Sequence, residues 1–280
     1  MKISVVVPFF NEEKHIGSCI AALTNQSYPS DDYEIILVDN NSTDGSAAIA
    51  RRDPRVRVVK EEIQGDYAAR NRGIAEATGD IIAFTDADTA PVRNWLAMVD
   101  AAMQKSGLLV LVGGLRFSSD SSALSVLAAY ETAKMTWIYN SSLEEVYVAY
   151  TCNMAVRREA FDQLGLFPEI QRNAEIIFMR RIIDTHGVAA LQYAASVEVD
   201  RLEISSLRQY YSKLHVYGRD YRRYANVASL RALTNAERIH IFRKTVESNG
   251  YSRLQASKLL LLLAIGGLCY DAGRLAGPSD

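Results

Sequence analysis

The fold is decided by the stretch Asp80–Asp88, which has the sequence DIIAFTDAD. Its first half is a short apolar run with β-branched and aromatic residues, and such a run predicts a buried strand. Asp86 and Asp88 follow at the carboxyl end of that strand, the edge where open α/β sheets bind ligands. Unpaired, the two carboxylates would repel each other, whereas Mg²⁺ or Mn²⁺ accepts carboxylate oxygens and can also hold a substrate's phosphates. The alternative is that one Asp caps the following helix and the other is solvated.

Strands and helices alternate around that stretch through the first hundred residues. Continuous apolar runs rich in β-branched residues predict strands at 3–7, 34–38, 56–59 and 80–84. Apolar residues at helical spacing predict helices at 12–26, from 42 or 43 to about 52, at 66–78 and at 92–105. The alternation indicates βαβ units and a parallel sheet, with the ends at Asp39, Glu61 and Asp86 on one edge. No G-x-G-x-x-G follows the first strand, which argues against a dinucleotide-binding Rossmann site.

The pattern changes after residue 107. Strands are predicted at 108–115, 146–156 and 188–193, and helices at 122–138, 157–164 and 174–186. Gly113 and Gly114 lie near the end of the first of these strands, where a missing side chain lets the backbone approach a ligand closely. After Ser205 only helices are expected, at 207–224, 235–247 and 252–268.

Composition narrows the classes of function. The chain has 280 residues and a formal net charge of -2, so nothing favours an electrostatic nucleic-acid binder. The cysteines, at positions 19, 152 and 269, form no C-x-x-C, so neither a disulfide framework nor a zinc site is expected. A reducing compartment is the default for such a chain. Because the first residues predict a strand rather than a basic segment and a long apolar core, no signal peptide is expected.

Two segments near the other end leave their roles open. The apolar run at 259–270 is shorter than the ~20 residues that a membrane-spanning helix needs. It is predicted to be a buried helix, a dimer contact or a segment lying in a membrane surface. The stretch 209–224 is rich in Tyr and Arg, and we expect its aromatics to pack internally. Its basic residues could flank an acceptor, contact anionic lipid or hold a lipid-linked diphosphate.

Four motifs in one order resemble family 2 glycosyltransferases of the GT-A fold. They are SVVVPFFNEE at 4–13, ILVDNNSTDGS at 36–46, ARNRGI at 69–74 and GDIIAFTDAD at 79–88. The segments NMAVRREAF at 153–161 and LGLF at 164–167 also fit, so the resemblance covers about residues 1–190. It implies an α/β, GT-A-type nucleotide-sugar-binding domain over 1–203, with a mainly parallel central sheet flanked by helices. A helical C-terminal extension over 204–280 would then contact a membrane surface or another protomer.

The resemblance also implies an inverting transfer from a nucleotide-diphosphate sugar, assisted by Mn²⁺ or Mg²⁺. Asp39 matches the aspartate that recognises the nucleotide base, which suits a carboxylate facing a ring N–H. Arg70 matches the basic residue near the diphosphate, where a guanidinium can pair two oxygens. Asp86 and Asp88 match the metal-binding D-x-D, with Asp88 the stronger candidate for direct ligand. The remaining residues expected at the donor site are Pro8, Phe10, Glu12, Asn41, Ala87 and Gly114.

Each of these residues also has a structural alternative. Asp39 could serve a turn, Glu12 the first turn of a helix, and Arg70 a solvated helix face. Asn153, in the fifth matching segment, could be a satisfied core amide. The ordered set of motifs favours the functional roles over these alternatives taken singly.

The segment 174–182 departs from the family pattern. The family commonly places Glu-Asp a few residues before an Arg-Leu pair and draws its general base from that acidic segment. Aligning Arg181-Ile182 with Arg-Leu puts Ala174 at the Glu and Glu175 at the catalytic Asp. Either Glu175 is the base, with a side chain one methylene longer, or the protein is weak, altered or inactive. Glu175 as a helix N-terminal charge is the structural alternative.

The first functional interpretation is a cytoplasmic glycosyltransferase for a cell-surface or secreted glycan. Its partners would be a nucleotide-diphosphate sugar and a glycan or lipid-linked acceptor, with no nucleic acid. Peripheral contact with the inner face of the cell membrane and a homo-oligomer are both left open. One alternative is a catalytically weak, sugar-nucleotide-binding partner subunit. A nucleotidyltransferase is less favoured, because no glycine-rich basic phosphate loop follows the first strand.

Overall fold

The computed structural model describes residues 1–117, 121–170, 173–224 and 230–276, without the side chains of 221–224. The chain divides into two compact units. The first, which we call the sheet unit, consists of Met1–Leu115 and Ala149–Leu202. The second, the helical unit, consists of Arg116–Val148 and Glu203–Asp280. The predicted assignment of a glycosyltransferase domain to 1–203 and an extension to 204–280 stays a prediction.

An eight-stranded sheet organises the first unit. Its strands are β1 (Ile3–Phe9), β2 (Tyr33–Asp39), β3 (Val56–Lys60), β4 (Ile81–Thr85), β5 (Thr89–Pro91), β6 (Val110–Phe117), β7 (Asn153–Arg157) and β8 (Leu191–Arg201). Their order is β3-β2-β1-β4-β7-β6-β8-β5. The pairs β3–β2, β2–β1 and β1–β4 are parallel, whereas β4–β7, β7–β6 and β8–β5 are antiparallel. The predicted α/β fold is confirmed, with a mixed sheet whose parallel part comes from the first hundred residues.

Helices surround the sheet and build the second unit. They are α1 (Ile16–Thr24), α2 (Ser46–Ala50), α3 (Asp66–Glu76), α4 (Trp95–Met103), α5 (Ser122–Ser141), α6 (Arg158–Leu164), α7 (Ala174–His186), α8 (Leu207–Tyr224), α9 (Asn235–Ser248) and α10 (Arg253–Ala276). All residues of β1 and β4 are buried, as continuous apolar strands covered on both faces should be. On one face of the sheet, Ile16 and Leu23 of α1 and Trp95 of α4 join the same core as Val5 and Val7 of β1.

Several predicted elements have different bounds in the structure. The helix predicted at 12–26 covers Ile16–Thr24, and the N–H groups of Glu12 and Glu13 before it bond to the side chains of Ser46 and Asp44. The strand predicted at 146–156 covers Asn153–Arg157, and residues 147–148 bond to Tyr139 of α5 through tyrosine hydroxyls. The strand predicted at 188–193 begins at Leu191 and continues to Arg201.

The helical unit has a core of leucines, isoleucines and tyrosines. Leu124 and Leu127 of α5, Ile241 of α9 and Leu259 of α10 are buried together. Tyr210 of α8 is buried in the same cluster, which confirms internal packing for this residue of the Tyr- and Arg-rich stretch. The side chains of residues 221–224, two of them arginines, lie outside the described part of the chain.

Close backbone contact joins α8 to α10. A Cβ atom added to Gly218 would lie 2.0 Å from the main-chain oxygen of Tyr270, and one added to Gly273 would lie 2.0 Å from that of His215. Since real side chains do not tolerate such distances, the two glycines are what lets these helices approach each other. This contact is a packing device within the helical unit.

The outward face of α10 is apolar. Leu254, Leu261, Leu268 and Leu275 recur every seven residues and are 62–84% exposed. The helix extends eight residues beyond the predicted end at Leu268. By length and composition it could cross a membrane, and it is the one such helix in the described ranges, which by itself is weak evidence. The prediction that it lies against a partner chain or a membrane surface therefore stays a prediction.

Candidate active site

The loops after β1, β2 and β3 are bonded to one another at the carboxyl edge of the parallel strands. We call residues 10–15, 40–46 and 61–65 the loop rim. Asn40 donates from Nδ2 to the main-chain oxygens of Glu61 (3.1 Å) and Ile63 (2.7 Å), and its Oδ1 accepts the N–H of Gly65 at 2.8 Å. Nε2 of Gln64 also donates to this Oδ1, at 3.2 Å, so the buried Asn40 amide fixes the course of the third loop.

The first two loops of the rim are joined through another asparagine. Asn11 adopts a left-handed conformation with a φ of +53°, which Asn tolerates better than most residues. Its Oδ1 accepts the N–H of Thr43 at 2.8 Å, and its own N–H donates to Oγ of Ser42 at 3.1 Å. The polar residues of the NNSTDGS segment thus hold the loops together, a role that the sequence did not reveal.

The predicted base-recognition and ribose residues all belong to the rim or to the strand ends beneath it. Asp39 is buried at the end of β2, and its Oδ1 accepts the N–H of Ser42 at 2.9 Å. Pro8 is buried in β1, whereas Phe10 is exposed just after it. Oε2 of Glu12 lies 3.1 Å from Nδ1 of His15. Asn41 donates to the main-chain oxygen of Glu62 at 2.9 Å.

The D-x-D residues form a turn between β4 and β5. The main-chain oxygen of Asp86 accepts the N–H and the hydroxyl of Thr89 at 3.1 and 2.7 Å. The main-chain oxygen of Asp88 accepts the N–H of Leu202, just after β8, at 2.9 Å. Ala87 between them is buried. The short strand β5, which was not predicted, therefore holds the turn together with β8.

A buried thiol lies beside the D-x-D turn. Sγ of Cys19, in α1, lies 3.6 Å from the main-chain oxygen of Asp86. Burial, and then the negative charges of Asp88 and Asp86, raise the pKa of the Cys19 thiol well above its ordinary value. The thiol therefore stays protonated, and both aspartates add to the negative potential at this end of the sheet.

Arg70 meets the D-x-D turn from α3. Its Nη2 lies 2.6 Å from Oδ1 of Asp86, and the side chain of Arg70 is only 5% exposed, against 32% for Asp86. The guanidinium carbon lies 5.2 Å from the centre of the Tyr67 ring, within the range of a cation–π contact. Nε of Arg70 is buried and has no hydrogen-bond partner among the described residues. Arg70 is thus not the solvated helix residue of the structural alternative.

Glu175 occupies the first turn of α7 and is buried, with 6% of its surface exposed. The hydroxyl of Tyr67 donates a hydrogen bond to its Oε2. Burial is the main cause that raises the pKa of Glu175 to about 8; the charge of Asp66 adds to the rise, and a backbone hydrogen bond opposes it. The predicted helix bounds, Ala174–His186, are confirmed. That the carboxylate faces the cleft beside the D-x-D stays a prediction.

Gly114 and Asn153 support the sheet. A Cβ atom on Gly114 would lie 2.3 Å from the main-chain oxygen of Ala195 in β8, so strand packing accounts for the glycine. Asn153 donates to the main-chain oxygens of Gly114 and Val197, both at 2.7 Å, and accepts the indole N–H of Trp95 at 2.9 Å. The alternative of a satisfied core amide is confirmed for Asn153, while donor contact by Gly114 stays a prediction.

Two contacts of the site join residues distant in sequence. They are the ion pair of Arg70 with Asp86 and the hydrogen bond of Tyr67 with Glu175. Tyr67 was missed by the sequence reasoning, although its position three residues before Arg70 puts both on one face of a helix. In the described ranges no group of three or more His, Cys, Asp or Glu side chains could hold a metal ion.

Comparison with known families and relatives bears on this arrangement. The sequence model of the family described as glycosyl transferase family 2 matches residues 4–165, more than half of the chain. "Glycosyltransferase AglE" of Haloferax volcanii is 34% identical over 173 residues, which cover 59% of this chain and 56% of the relative. "Glycosyltransferase GlyG" of Streptococcus pneumoniae is 37% identical over 116 residues, covering 40% and 38%. The matches therefore span little more than half of one curated relative's length and less than half of the other's.

Solved structures with the same fold include two complexes. The mannosyltransferase PcManGT from Pyrobaculum calidifontis, in complex with GDP-Man and Mn²⁺, has a TM-score of 0.63 and 19% identity, with 99% of this chain and 76% of that one covered. Glucosyl-3-phosphoglycerate synthase from Mycobacterium tuberculosis, in complex with Mn²⁺, UDP-glucose and phosphoglyceric acid, has a TM-score of 0.59 and 21% identity, with 82% and 81% covered. At these identities the likeness shows the fold alone, and that fold is GT-A.

Proposed function

We propose a function for this chain, which belongs to glycosyl transferase family 2. It moves a sugar from a nucleotide-diphosphate sugar to a hydroxyl group of a glycan or lipid-linked acceptor. The pathway class would be the synthesis of a cell-surface polysaccharide or glycoconjugate. The observation that carries the proposal is the ion pair of buried Arg70 with Asp86 at the carboxyl end of β4. This is the edge where open α/β sheets bind ligands, and a guanidinium there suits a diphosphate.

The nucleoside would bind on the loop rim. Asp39, with one oxygen accepting the N–H of Ser42, keeps further acceptor capacity for a ring N–H of the base. Phe10 is exposed at the start of the rim, where an aromatic face can contact a base or ribose. Pro8, Glu12 and Asn41 complete the surface. Because the three loops are bonded to one another, this surface is formed before the nucleotide arrives.

Asp86 and Asp88 fit a divalent cation that is shared with the substrate. Mg²⁺ in substrate-phosphate sites is usually held by one or two carboxylates, together with phosphate oxygens and water. Two aspartates on one turn, without a third acidic or histidine ligand in the described ranges, match that donor set. Mn²⁺ takes the same oxygen ligands, and the Pyrobaculum and Mycobacterium complexes contain Mn²⁺. When bound, the ion would supply positive charge that stabilises the departing nucleoside diphosphate.

Glu175 is proposed as the general base of an inverting transfer. The acceptor oxygen attacks the anomeric carbon from the side opposite the diphosphate, so a new carbon–oxygen bond forms while the old one breaks. The electron pair of the broken bond leaves with the diphosphate, and the hydroxyl proton passes to the Glu175 carboxylate. The raised pKa, about 8, makes this carboxylate a stronger base than an ordinary glutamate.

A second candidate is a sugar-nucleotide-binding partner subunit with little turnover. The burial of Glu175 and its bond to Tyr67 favour it, because a carboxylate so enclosed could serve packing alone. In this candidate the donor site still binds a nucleotide sugar, but Glu175 does not act as a general base. It differs from the first in turnover and not in nucleotide binding.

Thermal unfolding with UDP-glucose and GDP-mannose as probes, with and without Mn²⁺, tests the donor site. A donor at ~100 times its dissociation constant should add ~2.7 kcal/mol of stability. Release of UDP or GDP in the presence of candidate acceptors then measures turnover. Binding with turnover supports the transferase, binding without turnover on any acceptor supports the partner subunit, and no Mn²⁺-dependent stabilisation by any nucleotide sugar contradicts both.

The exposed face of α10 is proposed to bind α10 of a second copy. The two helices would pair antiparallel about a two-fold axis between residues 264 and 265. Leu254 would then lie opposite Leu275 of the second copy, and Leu261 opposite Leu268. The same register brings Lys258 opposite Asp271, an attractive pair. Light scattering should then give a dimer that Leu268→Gln weakens. A monomer that binds anionic vesicles would instead support peripheral membrane contact on the cytoplasmic side, and a monomer indifferent to them would reject both.

A further inference from the structure

One buried face of α3 contacts both ends of the candidate site. Tyr67 and Arg70, one helical turn apart, are both buried. Arg70 forms its ion pair with Asp86 of the D-x-D turn, and Tyr67 donates its hydroxyl hydrogen bond to Oε2 of Glu175. The two side chains also touch each other, because the guanidinium of Arg70 lies over the Tyr67 ring. The two residues thus join the D-x-D to Glu175 through a continuous set of contacts.

We propose that Tyr67 is a positioning residue: its hydroxyl holds the Glu175 carboxylate in place for proton transfer, and its ring supports Arg70 at the diphosphate. This inference rests on the proposed function, since it assigns Tyr67 a role through the proposed base. Tyr67 lies outside the motifs that carry the family resemblance. In the proposed reaction it contacts neither the acceptor hydroxyl nor the anomeric carbon of the donor.

The Tyr67 ring is held in place on more than one side. Its centre lies 5.7 Å from that of the Phe167 ring at an angle of 60°, and 5.2 Å from the guanidinium carbon of Arg70. Phe167 is itself fixed by Asn71 of α3, whose Nδ2 donates to the Phe167 main-chain oxygen at 2.9 Å and whose Oδ1 accepts its N–H at 3.2 Å. A ring so confined places its hydroxyl at one point, which is what positioning a base requires.

The chemistry of the contact leaves the base able to act. A carboxylate has two oxygens with about four acceptor sites, and the Tyr67 hydroxyl occupies one site on Oε2. The bond also favours the charged form of Glu175, against the burial and the Asp66 charge that favour the neutral form. Tyr67 thus orients the carboxylate and lowers the pH at which it is ionised. These two effects separate positioning from simple packing.

Tyr67→Phe tests the inference, because it removes the hydroxyl and keeps the ring beneath Arg70. We expect kcat to fall about tenfold or more, with the KM for UDP-glucose or GDP-mannose changed less than about twofold. The acid limb of the kcat profile should move to higher pH, since a lost bond to the charged form raises the pKa of the base. Tyr28→Phe is the matched control: it removes a tyrosine hydrogen bond to the main-chain oxygen of Met1, and it should move neither quantity.

A double-mutant cycle with Glu175→Gln completes the test. If Tyr67 acts through Glu175, Tyr67→Phe should cost little further kcat once the base is gone. Full additivity of the two losses, or an unchanged kcat and acid limb in Tyr67→Phe, would overturn the inference while leaving the proposed function intact. No turnover by the unsubstituted protein on any donor and acceptor would overturn the proposed transferase, and the role of Tyr67 with it. Thermal unfolding of each variant identifies a loss caused by misfolding.

Discussion

The sheet unit and the helical unit bury different side chains. Among the described residues, the sheet unit encloses polar groups that include Asp39, Asn40, Arg70, Asn153 and Glu175, whereas the helical unit encloses few. Most of the large apolar side chains that are exposed belong to the helical unit, above all to α10. Burying polar groups costs free energy unless they are bonded, so a fold keeps them where they are needed. The comparison predicts that chemistry belongs to the sheet unit and association to the helical unit.

The largest expected effect is on turnover, from Glu175→Gln. The substitution keeps size and hydrogen bonding but removes the basic carboxylate. Turnover should fall by ~10²-fold or more, the usual scale for losing a general base, while binding of the nucleotide sugar is retained. Steady-state kinetics and calorimetry measure the two quantities. Glu159→Gln, at the first turn of α6, is the matched control and should behave as the unsubstituted protein. Near-normal turnover in Glu175→Gln would mean that this buried polar group serves packing.

The next effect is on metal-dependent binding, from Asp88→Asn. An amide keeps the shape of the turn but offers a divalent cation a neutral ligand in place of a charged one. Affinity for UDP or GDP in the presence of Mn²⁺ should fall about 10- to 100-fold, with the fold kept. Asp80→Asn, at the opposite end of the β4 segment, is the control and should leave binding unchanged. Undiminished Mn²⁺-dependent binding in Asp88→Asn would reject the metal assignment.

A substitution in the helical unit should change stability and leave chemistry alone. Gly273→Ala places a Cβ atom 2.0 Å from the main-chain oxygen of His215, so α10 must shift from α8, at a cost of about 1–3 kcal/mol. Gly267→Ala meets nothing within 4 Å and should be neutral or stabilising by up to about 1 kcal/mol. Denaturant unfolding gives both values. A large loss of kcat in a folded Gly273→Ala would break the division between the units.

The smallest predicted effect on turnover is its dependence on pH. With a pKa of about 8, the carboxylate form of Glu175 increases as the pH rises through that value. The base is active when ionised, so kcat should rise about tenfold between pH 7 and pH 9. The free energy of unfolding should change in the opposite direction, because the native pKa of Glu175 is raised above the unfolded value near 4.5. The stability that this group contributes is fully present below pH 4.5 and is lost as the pH rises from there to about 8. Unfolding of Glu175→Gln should lack this component, and a flat kcat profile would contradict the raised pKa of the base.

The sequence predicted best those elements whose signals are local. Helix α7 has the predicted bounds because Asn173 and Gly187 flank it with positive φ angles of 64° and 72°. The buried strands β1 and β4 were found within a residue or two because both faces are apolar. In contrast, β5 exists through its pairing with β8, about 110 residues away, and no local pattern of three residues predicts that.

The site was predictable in its parts and not in its connections. The motifs named Arg70, Asp86 and Glu175, but the hydrogen bond of Tyr67 to Glu175 spans 108 positions and depends on how α7 packs. Asn40 gave no signal apart from its place in a motif, because its value lies in three main-chain partners that belong to another loop. Both residues become meaningful once tertiary packing has brought their partners to them.

The bonding of Asn40 has a consequence for how the donor preference of such a protein could be redesigned. Three of its partners after β3 are peptide groups, which every residue type supplies except for the missing N–H of proline, and the fourth is Nε2 of Gln64, which donates to Oδ1 of Asn40 at 3.2 Å. The side chains at 62 and 63 can therefore be exchanged without loosening their loop, and Ile63 is already exposed. A library randomised at 62 and 63 should return mostly folded variants with altered nucleotide preference, whereas one randomised at position 40 should return few. Because Asn40 holds the main chain of the loop after β3, the exposed side chains of that loop at 62 and 63 can be changed while its course is kept.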